Sequence, residues 1–186
     1  MSRTLSAPVT VVSRPAIITP APTKVSPSRG PAIRMGLGGG ASLPSSSTMR
    51  TGRHGVGFVL VGLPASPLGI RADVMYDRHE QVYFTGQARL TGGSIDLVRG
   101  FGRRESSVKP YLVGGLAYYN VAVSGPGIVT SPQAPHGSVH LTFGAGLNLG
   151  RGPLGAFVEA RFIGVDAGFS FLALTGGVTL GPRQAQ

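Results

Sequence analysis

The chain has 186 residues, with 30 Gly, 15 Pro, no Cys, no Trp and only 13% charged residues. Low charge and abundant glycine argue against a helical bundle. The lack of cysteine excludes a disulfide framework or a thiolate metal site, and no apolar run is long enough for a membrane-crossing helix. The net charge of +10 is almost all arginine, yet Arg103-Arg104 is the one adjacent basic pair and no basic stretch is interleaved with aromatics, so nothing beyond net charge points to nucleic acid. A solvated basic surface, or arginines facing anionic lipid headgroups, fits the scatter equally well.

Residues 1 to 31 are rich in Pro, Ser and Thr without sustained periodicity, and read as a disordered tail. Its apolar pieces, Val9–Val12 and Ala16–Ile18, are split by Ser13-Arg14-Pro15, so the continuous apolar stretch of an export signal is not expected there.

From Ala32 onward the chain alternates apolar and polar residues with period two, the mark of strands with two unlike faces. The first run is Ile33 to Leu43, with Ile33, Met35, Leu37, Ala41 and Leu43 opposing Arg34, Gly36, Gly38, Gly40 and Ser42. The second, His54 to Leu63, is apolar on both faces. In the third, Leu68 to Asp77, Ile70, Ala72, Val74 and Tyr76 oppose Arg71, Asp73, Met75 and Asp77. The fourth, Phe84 to Val98, begins with Ala88 and Leu90 opposing Gln87, Arg89 and Thr91. It then changes phase, so that Ile95 and Leu97 oppose Ser94 and Asp96, and a β-bulge is expected at Gly92-Gly93.

The fifth run, Lys109 to Ser124, carries Tyr111, Val113, Tyr119, Val121 and Val123 on one face. The sixth lies in His136 to Gly150, where Val139, Leu141, Phe143, Ala145, Leu147 and Leu149 oppose His140, Thr142, Gly144, Gly146 and Asn148. Its eleven alternating residues make about twice the usual length of a globular strand. In the seventh, Leu154 to Gly164, Val158, Ala160 and Phe162 oppose Glu159 and Arg161. In the eighth, Phe171 to Leu180, Leu172, Leu174, Val178 and Leu180 oppose Ala173, Thr175 and Thr179. Pro64–Pro67 and Gly150–Pro153 are short turns, whereas 44 to 53 and 125 to 135 are longer loops.

The polar faces carry Gly, Ser and isolated charges of both signs. Small residues with opposite charges suit the interior of a narrow closed barrel, where glycine makes room and charges must find each other. The apolar faces would then contact lipid, which strands of nine to eleven residues tilted near 45° can cross, and closure would satisfy every backbone group. Arg71, Asp73, Glu159 and Arg161 are expected to pair inside the barrel, with Arg34, Arg89 and Asp96 as further members.

Four segments resemble a known family. Ile70-Arg71-Ala72-Asp73-Val74, Lys109 through Tyr119 (KPYLVGGLAYY), Phe143-Gly144-Ala145-Gly146-Leu147 and Phe157-Val158-Glu159-Ala160-Arg161-Phe162 are similar, in order and spacing, to strands of small OmpA-like bacterial outer-membrane β-barrel domain proteins. The resemblance covers about residues 33 to 181. It implies an all-β, eight-stranded antiparallel up-and-down (meander) transmembrane barrel in the outer membrane and no single activity. Two departures stand out: the last strand has no terminal aromatic, and residues 1 to 31 show no export signal.

The expected organisation is therefore a tail over 1 to 31, a barrel over 32 to 181 and a polar tail over 182 to 186. Its expected role is structural or surface-interacting, with the lipid bilayer and lipopolysaccharide as partners, no nucleic acid, a monomeric state, and no cofactor, metal or catalysis. A Ser138–His140 pair could in principle be joined by Glu159, but no catalytic motif surrounds it. The Gly36–Gly40 stretch lacks the Lys-Ser/Thr of a phosphate loop. The alternative is a soluble or periplasmic lipocalin-like barrel binding a small apolar ligand, which requires the apolar faces to point inward.

Overall fold

The computed structural model describes residues 32–47, 49–64, 66–80, 86–102, 106–125, 138–150, 152–164 and 170–181. The tails expected over 1 to 31 and 182 to 186, and the Arg103-Arg104 pair, lie outside the described residues.

Eight strands follow one another: β1 (Ala32–Pro44), β2 (Gly52–Gly62), β3 (Leu68–Glu80), β4 (Gln87–Gly100), β5 (Val108–Ser124), β6 (Ser138–Leu149), β7 (Leu154–Gly164) and β8 (Ser170–Leu180). Each pairs antiparallel with the next, and β8 returns to β1 with Leu37 opposite Val178 and Gly40 opposite Thr175, closing the barrel. Closure leaves no unpaired sheet edge. At this seam Gly38 and Gly177 are direct partners. A Cβ at Gly38 would stand 2.7 Å from Phe157 Cζ, so missing side chains at the wall admit the Phe157 ring to the lumen. Gly102 and Gly150, with φ of +100° and +116°, make the positive-φ positions in two turns at the end where the barrel starts and finishes.

The alternation sorts cleanly into an outside and an inside. Leu37, Val74, Ile95, Val139, Leu141 and Leu154 are each 65–71% exposed on the outer wall. On β6 the outward row from Val139 to Leu149 rises about 34 Å along the strand, or about 24 Å along the barrel axis at a tilt near 45°. That equals the height of the apolar band on membrane barrels.

Two expectations about which way residues point are corrected. There is no bulge in β4: its register runs unbroken from Leu68↔Arg99 to Glu80↔Gln87 with β3, and from Gln87↔Ser124 to Gly100↔Tyr111 with β5. Even-numbered residues of β4 point inward throughout, and the chemistry of the faces is what changes. At the loop end Ala88 and Leu90 are fully buried inside, while Arg89 and Thr91 are exposed outside. Arg89 is therefore not an interior residue. The same cause acts on β5, where Tyr111, Val113 and Tyr119 fill the lumen and Leu112, Leu116 and Tyr118 cover the outer wall. The loop-side lumen is packed by Met75, Leu90, Tyr119, Ile163 and Phe171 among others, and a smaller cluster of Val98, Tyr111 and Val113 lies toward the turns.

Candidate functional site

β3 and β7 are four strands apart in a ring of eight, so they face one another across the lumen. Each presents an arginine and an acid two residues apart on its inward face: Arg71 and Asp73 on β3, Glu159 and Arg161 on β7. All four are 2–7% exposed. Arg71 donates through Nε to Asp73 Oδ1 at 2.7 Å and through Nη1 to Glu159 Oε2 at 2.5 Å. Arg161 donates through Nε to Glu159 Oε1 at 3.0 Å and through Nη1 to Asp73 Oδ2 at 3.2 Å. Each arginine thus holds the acid of its own strand and the acid of the opposite wall. The two remaining guanidinium nitrogens, Nη2 of each, stay within ion-pair reach, at 2.7 Å from Asp73 and 3.0 Å from Glu159, though their N–H bonds are not aligned for hydrogen bonds. The Arg71 guanidinium also lies 3.8 Å above the Phe58 ring, a desolvated cation–π contact.

Further strands join this ring. Asp96 of β4 accepts from Arg161 Nη1 at 3.0 Å, from Ser94 Oγ at 2.5 Å and from Thr142 Oγ1 of β6 at 3.2 Å. Tyr111 of β5 donates its hydroxyl to Glu159 at 2.8 Å. The cluster therefore holds two guanidinium groups and three carboxylates, almost fully desolvated. Such a group is tolerable only because each charge has several partners.

Of the other residues expected inside, Arg34 faces the lumen near the turn end, is half-buried, and carries no ion pair to another described residue. Arg89 stands outside. Sequence reasoning missed the polar groups of the loop-side lumen. There His54 Nδ1 lies 2.8 Å from Asp77 Oδ1, and Ser42 Oγ lies 3.1 Å from His79 Nε2, with His79 Nδ1 donating to the Arg50 carbonyl at 3.2 Å. The inward positions of Ser42 on β1, His54 on β2, and Asp77 and His79 on β3 follow from the same alternation that placed Arg71 and Asp73. Beside them Tyr119 and Phe171 pack edge-to-face with centroids 6.2 Å apart, and the Tyr119 hydroxyl reaches Met75 Sδ at 3.1 Å.

The arrangement offers little to catalysis. Ser138 Oγ and His140 Nε2 are 2.5 Å apart, but Glu159 is engaged by Arg71, Arg161 and Tyr111, so no Ser-His-Glu relay is assembled. Among the described residues no group of three His, Asp or Glu is placed to hold a metal. A shallow recess of about 700 Å³ is bounded by Leu112, Leu147, Val158 and Leu174, all exposed on the outer wall.

No protein-family model matches the chain, and no curated protein matches it. Solved structures do. Neisserial surface protein A is similar over 82% of this chain and 99% of its own, with 19% identity and a TM-score of 0.61. Ail, the attachment invasion locus protein of Yersinia pestis, is similar over 81% of this chain and 97% of its own, with 14% identity and a TM-score of 0.56. Its backbone structure in a phospholipid bilayer nanodisc matches at 12% identity and a TM-score of 0.51, covering 82% of this chain and 99% of that one. The fold is thus that of the small eight-stranded outer-membrane barrels.

Proposed function

We propose that this chain is a bacterial outer-membrane β-barrel with a structural or surface-interacting role. The observation that carries this reading is the inversion of the usual arrangement: a cluster of paired charges is sealed inside and large aliphatic residues stand outside. Leu141 on the outer wall is 71% exposed while Arg71 in the lumen is 2% exposed. In water an outer wall of this kind is an aggregation surface; in lipid it is the required one. The likeness of fold to a barrel described in a bilayer nanodisc supports the same reading. The lumen is filled by the ion-paired ring and by Tyr119, Phe171 and Met75, so the interior serves rigidity rather than conduction, and what the protein does for the cell falls to its outer surface and loops. No catalysis is part of this reading.

The test is heat-modifiability. Full-length chain refolded into detergent should run faster unboiled than boiled on a denaturing gel, give β-rich circular dichroism, and aggregate when detergent is removed. A soluble monomer in plain buffer with no gel shift would overturn the membrane reading and restore the lipocalin-like one.

A further inference from the structure

The strand register brings three outer-wall arginines into one row. Arg53 of β2 is the direct partner of Arg78 of β3, and Arg78 is the direct partner of Arg89 of β4. All three are exposed, and none is ion-paired to another described residue. The row continues to Ala41 on β1 and Ala122 on β5, small residues that leave the guanidinium groups room to open. Neighbouring strands lie about 4.8 Å apart, so three like charges stand within about 10 Å. Like charges directly opposite on adjacent strands destabilise a sheet. An anion offsets such repulsion, and among the described residues no acid is ion-paired to the row. Four of the seven acids, Asp73, Asp77, Asp96 and Glu159, are buried in the lumen, and the exposed one among the described residues, Glu80, stands two residues beyond Arg78 on the same face, one negative charge beside three positive ones.

The height of the row says where the anion comes from. Directly beneath it on the same strands lie Gly55, Tyr76 and Thr91, and beneath those Gly57, Val74 and Gly93, the last paired with Tyr118 of β5. Tyr76 and Tyr118 are 46% and 51% exposed on the outer wall. Outward tyrosines above an apolar band mark the membrane–water interface. One step of two residues beyond Tyr76 is about 5 Å along the membrane normal, the level of headgroup phosphates rather than of open solvent. Guanidinium forks bind phosphate bidentately, and all three positions are arginine rather than lysine.

We infer that Arg53, Arg78 and Arg89 form a binding site for the phosphates of a lipid headgroup in the leaflet on the loop side of the barrel. This rests on the membrane reading above and goes beyond it by fixing the face, the residues and the ligand chemistry. The site spans β2, β3 and β4, so one multiply phosphorylated headgroup can lie across the row.

The experiment uses the full-length chain folded in zwitterionic detergent, with the parent, Arg78→Gln and the triple Arg53→Gln/Arg78→Gln/Arg89→Gln protein. Gel mobility without boiling is checked for each. Purified lipopolysaccharide, the same material dephosphorylated, and inorganic phosphate are titrated while the unfolding midpoint is followed. Two opposite effects are expected. Without added lipid, Arg78→Gln should unfold at a higher temperature than the parent, because the central like charge is gone. With lipopolysaccharide, its half-saturation should be about fivefold weaker, and that of the triple variant about a hundredfold weaker. Dephosphorylated lipid should shift the parent no more than the triple variant. Equal responses of parent and triple variant to lipopolysaccharide, or a parent response unaffected by dephosphorylation, would overturn the inference. So would inorganic phosphate alone reproducing the full shift, since the site would then be for a free anion. A parent that shows no heat-modifiable band fails at the earlier step and counts against the membrane reading instead.

Discussion

Arg161→Met is the sharpest test of the lumen ring. Arg161 is 2% exposed and touches every acid of the cluster: Glu159 at 3.0 Å, Asp73 at 3.2 Å and Asp96 at 3.0 Å. Methionine keeps the unbranched stem and adds no polar atom. It leaves three buried carboxylates facing Arg71 alone, so the formal charge of the cluster falls from −1 to −2. Breaking a buried pair by removing one partner costs about 3–5 kcal/mol, chiefly because the partner left behind stays desolvated. With a urea dependence near 2 kcal/mol per molar, the unfolding midpoint in detergent should fall by about 2 M. Asp96→Asn is the internal control. It removes the odd carboxylate and matches two cations to two anions; its amide oxygen can take the Oδ2 position and accept from Ser94 and Arg161, while its NH2 takes the Oδ1 position and donates to the Thr142 hydroxyl, so its midpoint should stay within about 0.5 M of the parent. The reasoning is refuted if Arg161→Met unfolds with the parent, or if Asp96→Asn is as damaging as Arg161→Met.

Glu159→Leu should be intermediate, losing about 2–3 kcal/mol in the same urea titration. The two arginines keep Asp73 and Asp96, but the buried Tyr111 hydroxyl loses its acceptor; a midpoint at or above the parent's would show that this carboxylate is not needed. Phe143→Arg, near the middle of the outward face of β6, should cost about 2–4 kcal/mol for the barrel in lipid vesicles. Leu149→Arg at the turn end of the same face should cost about 0–1 kcal/mol. Equal, negligible effects at both positions would mean the outer wall does not meet lipid.

Period-two alternation made eight strands and their order legible, because each strand separates an apolar outside from a smaller, more polar inside. The misreading of β4 has a specific origin. Orientation read from chemistry sends apolar residues outward, and that rule fails where the strands rise above the apolar band. There the lumen is packed by Ala88, Leu90, Tyr119 and Phe171, and the outside meets polar surroundings at Arg89 and Thr91. The pleat never slips. Reading strict parity from Asp96 back to Ala88 would have put Arg89 outside. The pairing partners were beyond reach for another reason. That Arg71 meets Glu159, 88 residues away, depends on β3 and β7 being opposite in a closed ring of eight, a fact no local pattern contains. The row Arg53–Arg78–Arg89 likewise exists only in the register.

The ring also answers how such a sequence holds one register. A strand whose faces were both apolar could shift by one residue at little cost, since side-chain facing has period two. β2 and β5 come close to that condition, with Phe58 inside and Val59 outside on one, and Tyr111 inside and Leu112 outside on the other. β3 does not. A one-residue slip would turn Arg71 and Asp73 toward the outer wall, at about 2–4 kcal/mol for the arginine alone near mid-membrane, and would strip Glu159 and Arg161 of their cross-lumen partners. β7 is tied in the same way from the opposite side. Two charged strands facing one another thus fix the alignment of their less discriminating neighbours through the shared hydrogen-bond ladders. By this argument the buried charges contribute more to choosing the register than to net stability, and the acids they draw inside leave the outer surface basic.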